Sequence, residues 1–166
     1  MRFRHKTGQP GLDDLDRVLG RRARPLATAQ GPGTVLVGLA HAFAYREEAG
    51  WRLVGYHELN RGGWSVGDGV FWWEDLAGER HELALSDPGR FPELFRERVT
   101  ATILLDRTVG SGTCRARIVA RRALTEGPGE VIWQAFALPG TDPAQPGYQA
   151  LVAEGIERLG ADYGIG

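Results

Sequence analysis

Cysteine is almost missing from this chain: Cys114 is the only one in 166 residues. A single thiol excludes an intramolecular disulfide and any zinc site built from several cysteines of one chain. It suits a reducing cytoplasm, which is the expected compartment. Lysine is equally scarce. Lys6 is the sole example, so nearly all of the 20 cationic residues are arginine. With 24 glycines and many alanines, this points to a GC-rich bacterial coding sequence. Long apolar runs are missing too, and none approaches the roughly 18 residues of a spanning helix. The start, Met1–Lys6, is basic, but no apolar segment follows it, so a secretory signal is not expected. Net charge is only −1, which removes whole-molecule steering toward nucleic acid or anionic lipid.

Charge is nevertheless uneven along the chain. Residues 1–25 hold seven Arg or Lys against three Asp, and residues 123–166 hold six acids against one Arg. The simplest consequence is two solvated surfaces.

What the chain does contain is a long series of strand and turn signals from Leu26 to Leu85. The predicted strands are Leu26–Gln30, Thr34–Arg46, Trp51–Leu59, Gly63–Val66, Val70–Leu76 and Arg80–Leu85. Thr34–Arg46 reads as one strand with a bend at Gly38. Trp51, Leu53 and His57 fall on one face of the next. Gly67-Asp68-Gly69 is the clearest hairpin turn. Phe91, Leu94, Phe95 and Val99 then share one helical face, which places an amphipathic helix after Pro88. Upstream, Leu12, Leu15, Val18 and Leu19 predict a short helix ended by Gly20. Downstream, strands are predicted at Thr102–Val109, Cys114–Leu124 and Glu130–Leu138. A C-terminal helix from Tyr148 should end near Gly160.

The expected fold class is therefore α+β: a curved antiparallel sheet capped by a helix, with added C-terminal strands and a helix. The expected division is 1–25 as a tail with a short helix, 26–105 as sheet and capping helix, and 106–166 as strands and helix packed on it.

Two stretches carry a resemblance, Gly62–Trp73 (GGWSVGDGVFWW) and Leu85–Val99 (LSDPGRFPELFRERV). With the order of short strands followed by a capping helix, residues 26–105 resemble uncharacterised actinobacterial proteins of the pleckstrin-homology-like superfold. The resemblance implies a PH-like barrel and a binding or scaffold role, not an enzyme. Phosphoinositide binding is not implied, because the first hairpin loop, Gln30-Gly31-Pro32-Gly33, lacks a cation.

No catalytic constellation stands out. Of His5, His41, His57 and His81, three fall on predicted strands, and none has metal-ligand spacing, so no metal and no cofactor is expected. Cys114 alternates with Ala116 and Ile118 and reads as a buried thiol. Ser111 lacks the flanking glycine spacing of a nucleophile elbow. The adjacent acids Glu47-Glu48 and Glu74-Asp75 point to opposite faces of a strand and read as edge protection.

Two surfaces remain as candidates. The first is aromatic: Tyr56, Trp64, Trp72 and Trp73 as a ligand or partner surface. Val70–Trp73 is apolar on both faces. It needs cover from Ile132, Trp133 and Phe136, or from a second copy of the chain. The second is a stripe of Arg115, Arg117 and Arg121, whose guanidinium forks suit phosphate. The leading expectation is a non-catalytic module that recognises a protein segment or small ligand, or self-associates. Nucleic-acid or phosphate binding through the arginines is the alternative.

Overall fold

The computed structural model describes residues 11–125, 127 and 129–165. His5, Lys6 and the rest of the expected N-terminal tail up to residue 10 lie outside the described residues. The described chain is α+β, with three antiparallel sheets and three helices. It divides into two compact units, one ending at Arg96 and the other beginning at Glu97. The division thus falls short of the expected boundary at 105–106. Among the described residues, no helix is long and apolar enough to cross a membrane.

In the first unit, α1 (Leu12–Leu19) carries Asp13 and Asp14 in its first turn, where the helix dipole favours acids. Gly20, with φ of 64°, ends it. Leu15 is completely buried beside Val37, Leu39 and Ala44, with Leu12, Leu19 and Trp51 around it. The Trp51 indole N–H also donates to the Gly11 carbonyl (3.1 Å).

β1 (Ala27–Gly31), β2 (Thr34–Gly38), β3 (Ala42–Glu47) and β4 (Gly50–Gly55) form one antiparallel sheet in chain order. The expected single strand over 34–46 is instead a hairpin. The Leu39 N–H donates to the Ala42 carbonyl (2.9 Å), closing a turn between β2 and β3. Ala40 and His41 occupy that turn, so neither glycine nor proline marks it in the sequence. His57 is likewise not on a strand. β4 stops at Gly55, and a single turn of 3-10 helix, Tyr56–Glu58, follows it.

β5 (Leu59–Ser65), β6 (Val70–Asp75) and β7 (Arg80–Ala84) make the second sheet, also in chain order. The Gly67-Asp68-Gly69 turn joins β5 to β6 as expected, with Gly69 at φ 63°.

The two sheets meet through aromatic rings. Phe43 of β3 lies edge-on to Phe71 (5.9 Å) and Trp73 (5.3 Å) of β6. Edge-to-face contact suits the ring quadrupoles, and each buried aromatic contributes roughly 2–3 kcal/mol through apolar area alone.

The expected capping helix is present as α2 (Phe91–Thr102). Phe91 and Phe95 are buried, at 5.0 and 4.8 Å from Phe71. Two glycines admit the helix this closely. A Cβ on Gly38 would stand 2.4 Å from Leu94 Cδ2, and one on Gly62 2.7 Å from Phe95 Cζ. The sheets themselves stay open: only an isolated bridge, Gln30 with Asp87, links β1 to the segment after β7, and no closed barrel forms among the described residues.

In the second unit, β8 (Ile103–Ser111), β9 (Cys114–Arg122) and β10 (Val131–Ala137) form a sheet with β9 at its centre. α3 (Tyr148–Tyr163) covers one face. Ala116, Ile118 and Ala120 point to it, as the alternation in the sequence requires. Trp133 packs into this same cluster. α3 runs past Gly160 because the left-handed cap falls at Gly164, with φ of 62°.

Candidate functional site

The four expected aromatic site residues do not form one surface. Tyr56 is fully buried, and its hydroxyl donates to the Leu39 carbonyl (3.3 Å). Trp73 is only 2% exposed. Both are core residues. A period-2 strand sends Trp72 and Trp73 to opposite faces, and the inward face is the aromatic interior. Trp64 is half-buried on β5, opposite Phe71.

Trp72 alone lies on the outer face, opposite Gly63, where an added Cβ would stand 3.7 Å from the indole Nε1, an ordinary contact. Arg80 sits over its ring at 4.2 Å, with Arg61 at 6.0 Å. Arg61 also bridges Glu74 (2.8 Å). The hydrogen bond from Arg61 holds the Glu74 carboxyl below the usual glutamate range. The half-buried indole is thus already covered by the protein's own cations.

The arginine stripe also differs from expectation. Arg117 makes a two-point pair with Asp106, which drives the Asp106 carboxyl below the ordinary aspartate value. Arg115 donates to the Pro139 carbonyl (3.3 Å). Arg121 is only 5% exposed and donates to Thr102 Oγ1 and Gln134 Oε1, both at 3.0 Å. Strand alternation placed these three on one face. It could not show that the face is covered at Arg121. The stripe is therefore not a row of free anion-binding guanidiniums.

The structure instead brings together residues that the sequence leaves apart. α2 closes the interior of the first unit at the Phe43–Phe71 end. Two residues further along β3 and β6, about 7 Å on, stand Tyr45 and Trp73, their rings 5.2 Å apart. Here the interior opens into a pocket of about 370 Å³. Tyr45, Val54 and Trp73 line its walls, while Glu58, Asp75, Leu76, Ala77 and His81 line the remainder.

The β6–β7 hairpin builds the polar side of this pocket. The Asp75 N–H donates to the Glu79 carbonyl (3.0 Å) and closes a three-residue turn, Leu76–Gly78, with Gly78 at φ 83°, which sets Trp73 opposite His81. Their rings stack at 5.1 Å and 12°. Asp75 Oδ1 accepts the N–H groups of Ala77 and Glu79, both at 2.9 Å. Asp75 Oδ2 lies 3.2 Å from His81 Nε2. The hydrogen bond to His81, then that from the Glu79 N–H, pulls the Asp75 carboxyl below its ordinary value. Glu58 Oε2 accepts the Gly55 N–H (2.8 Å), which fixes the carboxylate at the end of β4. Burial first, then the Glu47 charge, pushes the Tyr45 hydroxyl above its usual pKa, so it stays protonated and able to donate.

Chemically, the His81–Asp75 pair can hold and orient a proton. The lining residues include no Ser, Thr, Cys or Lys; the groups present that could take part in chemistry are the Glu58 and Asp75 carboxylates, the His81 imidazole and the Tyr45 hydroxyl. Donor atoms of Asp75, Glu79 and His81 lie within 4.8 Å of one another, and these three are the residues that could hold a divalent ion. His41 and His57 do not join them. His41 lies in the β2–β3 turn, its imidazole pushed down by burial and by the Arg21 charge.

In the sequence alone His81 has no metal-ligand spacing and Asp75 reads as edge protection; the structure brings the two together at this hairpin. The legible signal was the loop register, since a three-residue turn ending in glycine already pairs Trp73 with His81. The approach of Tyr45, Val54 and Glu58 carries no local signal. In comparison with known proteins, the chain matches no family model, and no curated protein or solved structure matches it at a significant level.

Proposed function

We propose that the chain is a non-catalytic binding module whose first unit takes a small ligand, or one side chain of a protein segment, into the pocket beside Tyr45, Trp73 and His81. The observation that carries this reading is the position of the pocket. The aromatic interior is filled and capped by α2 at one end and open at the other, with about 370 Å³ of space. That volume is at the lower end of the range for small-molecule sites, and the mix of apolar walls and a few fixed polar groups is typical of them.

We further propose a PH-like arrangement as the scaffold. Its support is the chain order of a four-stranded antiparallel sheet, a three-stranded one and then a helix. Binding rather than chemistry is supported by how the carboxylates are engaged: Asp75 by two backbone N–H groups and His81, and Glu58 by the Gly55 N–H.

The test is a fragment screen read by amide chemical shifts on the full chain. Binders should perturb Ala77, His81 and Val54 together. Val54→Trp, which fills the pocket with an indole, should abolish those perturbations while leaving the remaining spectrum intact. A screen whose hits shift only residues outside this pocket, or hits indifferent to Val54→Trp, would overturn the reading.

A further inference from the structure

We infer that the pocket selects an organic cation: an ammonium or guanidinium group carried on a compact apolar body. This rests on the pocket reading above and assigns it a ligand class.

The walls are apolar or aromatic, so the body of the ligand is recognised by area. The formal charges on the lining residues are both negative, Glu58 and Asp75, and no Arg or Lys is among them. The Glu79 carboxylate adds to the same side, within 4.8 Å of the Asp75 and His81 donor atoms. Backbone donors fix two of these acids. Gly55 N–H holds Glu58, and the N–H groups of Ala77 and Glu79 hold Asp75. These bonds hold the carboxylate oxygens in place, so little reorganisation is needed when a cation arrives. Glu58 has no ion-pair partner among the described residues. Arg52, which stands opposite Tyr45 in the β3–β4 register, is already paired with Glu47 (3.7 Å).

An anion entering this pocket meets two fixed carboxylates and no formal cation other than His81 when that is protonated. A neutral ligand gains area and, where it carries a hydroxyl, one hydrogen bond to a carboxylate, without attraction between full charges. A cation gains area and a charge-assisted hydrogen bond, which is about twice as strong as a neutral one. The aromatic walls add little cation–π attraction, because one face of Trp73 is occupied by the His81 ring. Selection is therefore by carboxylates, and it should weaken with salt.

The experiment titrates the full chain with three matched probes, 2-phenylethylammonium, 2-phenylethanol and 3-phenylpropionate, and with Zn²⁺ alone. Amide shifts at Ala77, His81 and Val54 report binding. The expected result is binding of the ammonium about tenfold or more tighter than the alcohol, with no detectable carboxylate binding. Glu58→Gln and Asp75→Asn keep the hydrogen-bond acceptors but remove the charge. Each should weaken the ammonium by about threefold to tenfold and the alcohol by less than about twofold. If the alcohol or the carboxylate binds as tightly as the ammonium, the cation inference fails while the pocket reading stands. If Zn²⁺ shifts these residues and the ammonium does not, the inference fails in favour of an inorganic ion. If no probe shifts the pocket residues, both readings fail.

Discussion

The two units solve the same problem, burying the face of an antiparallel sheet, in different ways. The second lays one helix along one sheet. Gly155 of α3 lets the helix approach so closely that an added Cβ would stand 2.6 Å from Ile118 Cδ1. Its core is largely aliphatic and small: Leu105, Val109, Ala116, Ile118 and Ala120, with Leu159 and Tyr148 from the helix. The first unit joins two sheets through rings, with Phe43 touching Tyr45, Tyr56, Phe71, Trp73, Phe91 and Phe95. A helix along a sheet covers the sheet over its length. A helix across the end of two sheets covers one end and leaves the other open. The ring-filled unit has a pocket because its cover is terminal, not because its packing is loose.

The largest expected effect breaks the first unit. Trp73→Ala removes a buried indole that touches Phe43, Tyr45 and Phe71, and should cost about 3–5 kcal/mol in denaturant unfolding. Amide exchange should show the loss concentrated in β3 and β6. Uniform loss over both units would show that they unfold as one.

The next effect probes the second unit by overpacking. Gly155→Val places side-chain atoms against Ile118 and Val109 and should cost about 1–3 kcal/mol. Denaturant midpoints and exchange rates in β8 and β9 check it. A neutral result would mean that α3 can shift outward, and the contrast in how the two sheets are covered would weaken.

A smaller effect separates the two faces of β6. Trp72→Ala removes only a half-buried ring under Arg80 and Arg61, and should cost about 1 kcal/mol, well below Trp73→Ala. Equal costs for the two substitutions would show that the outer face is as well packed as the inner one.

The smallest effect is electrostatic and falls at low pH. The folded state holds Asp106 below its ordinary value through Arg117, and Asp75 through His81 and backbone donors. A depressed carboxyl adds stability at pH above the ordinary aspartate value, and that stability is lost as pH falls through the depressed folded value. Asp106→Asn should therefore flatten the acid limb of stability in the second unit, and Asp75→Asn in the first. The Asp106 change should be under about 1 kcal/mol, because the pair faces solvent, and the Asp75 change should be the smaller of the two. Thermal melts between pH 7 and about pH 2 measure it. An unchanged acid limb would assign acid lability to other carboxylates.

Much of the fold was legible because strands and turns are written locally. Period-2 patterning and glycine turns marked β5, β6 and β7, and the spacing of Phe91, Leu94 and Phe95 marked the helix that caps them. The β2–β3 hairpin was missed because Ala40 and His41 carry no turn signature. The aromatic site was misjudged for a different reason. Alternation states that Trp72 and Trp73 face opposite ways, but not which side is the interior. The same limit applies to Arg121, which alternates like a surface residue and is buried with Thr102 and Gln134.

The sequence by itself determined most element types and the hairpins marked by glycine, such as β5–β6 at Gly67-Asp68-Gly69, because each depends on residues a few positions apart. The tertiary structure alone decided where the interior opens. Tyr45, Val54, Glu58 and His81 come from different elements, and their meeting depends on how two sheets stack and on which end the helix covers. Those are properties of packing between distant segments, for which local periodicity carries no information.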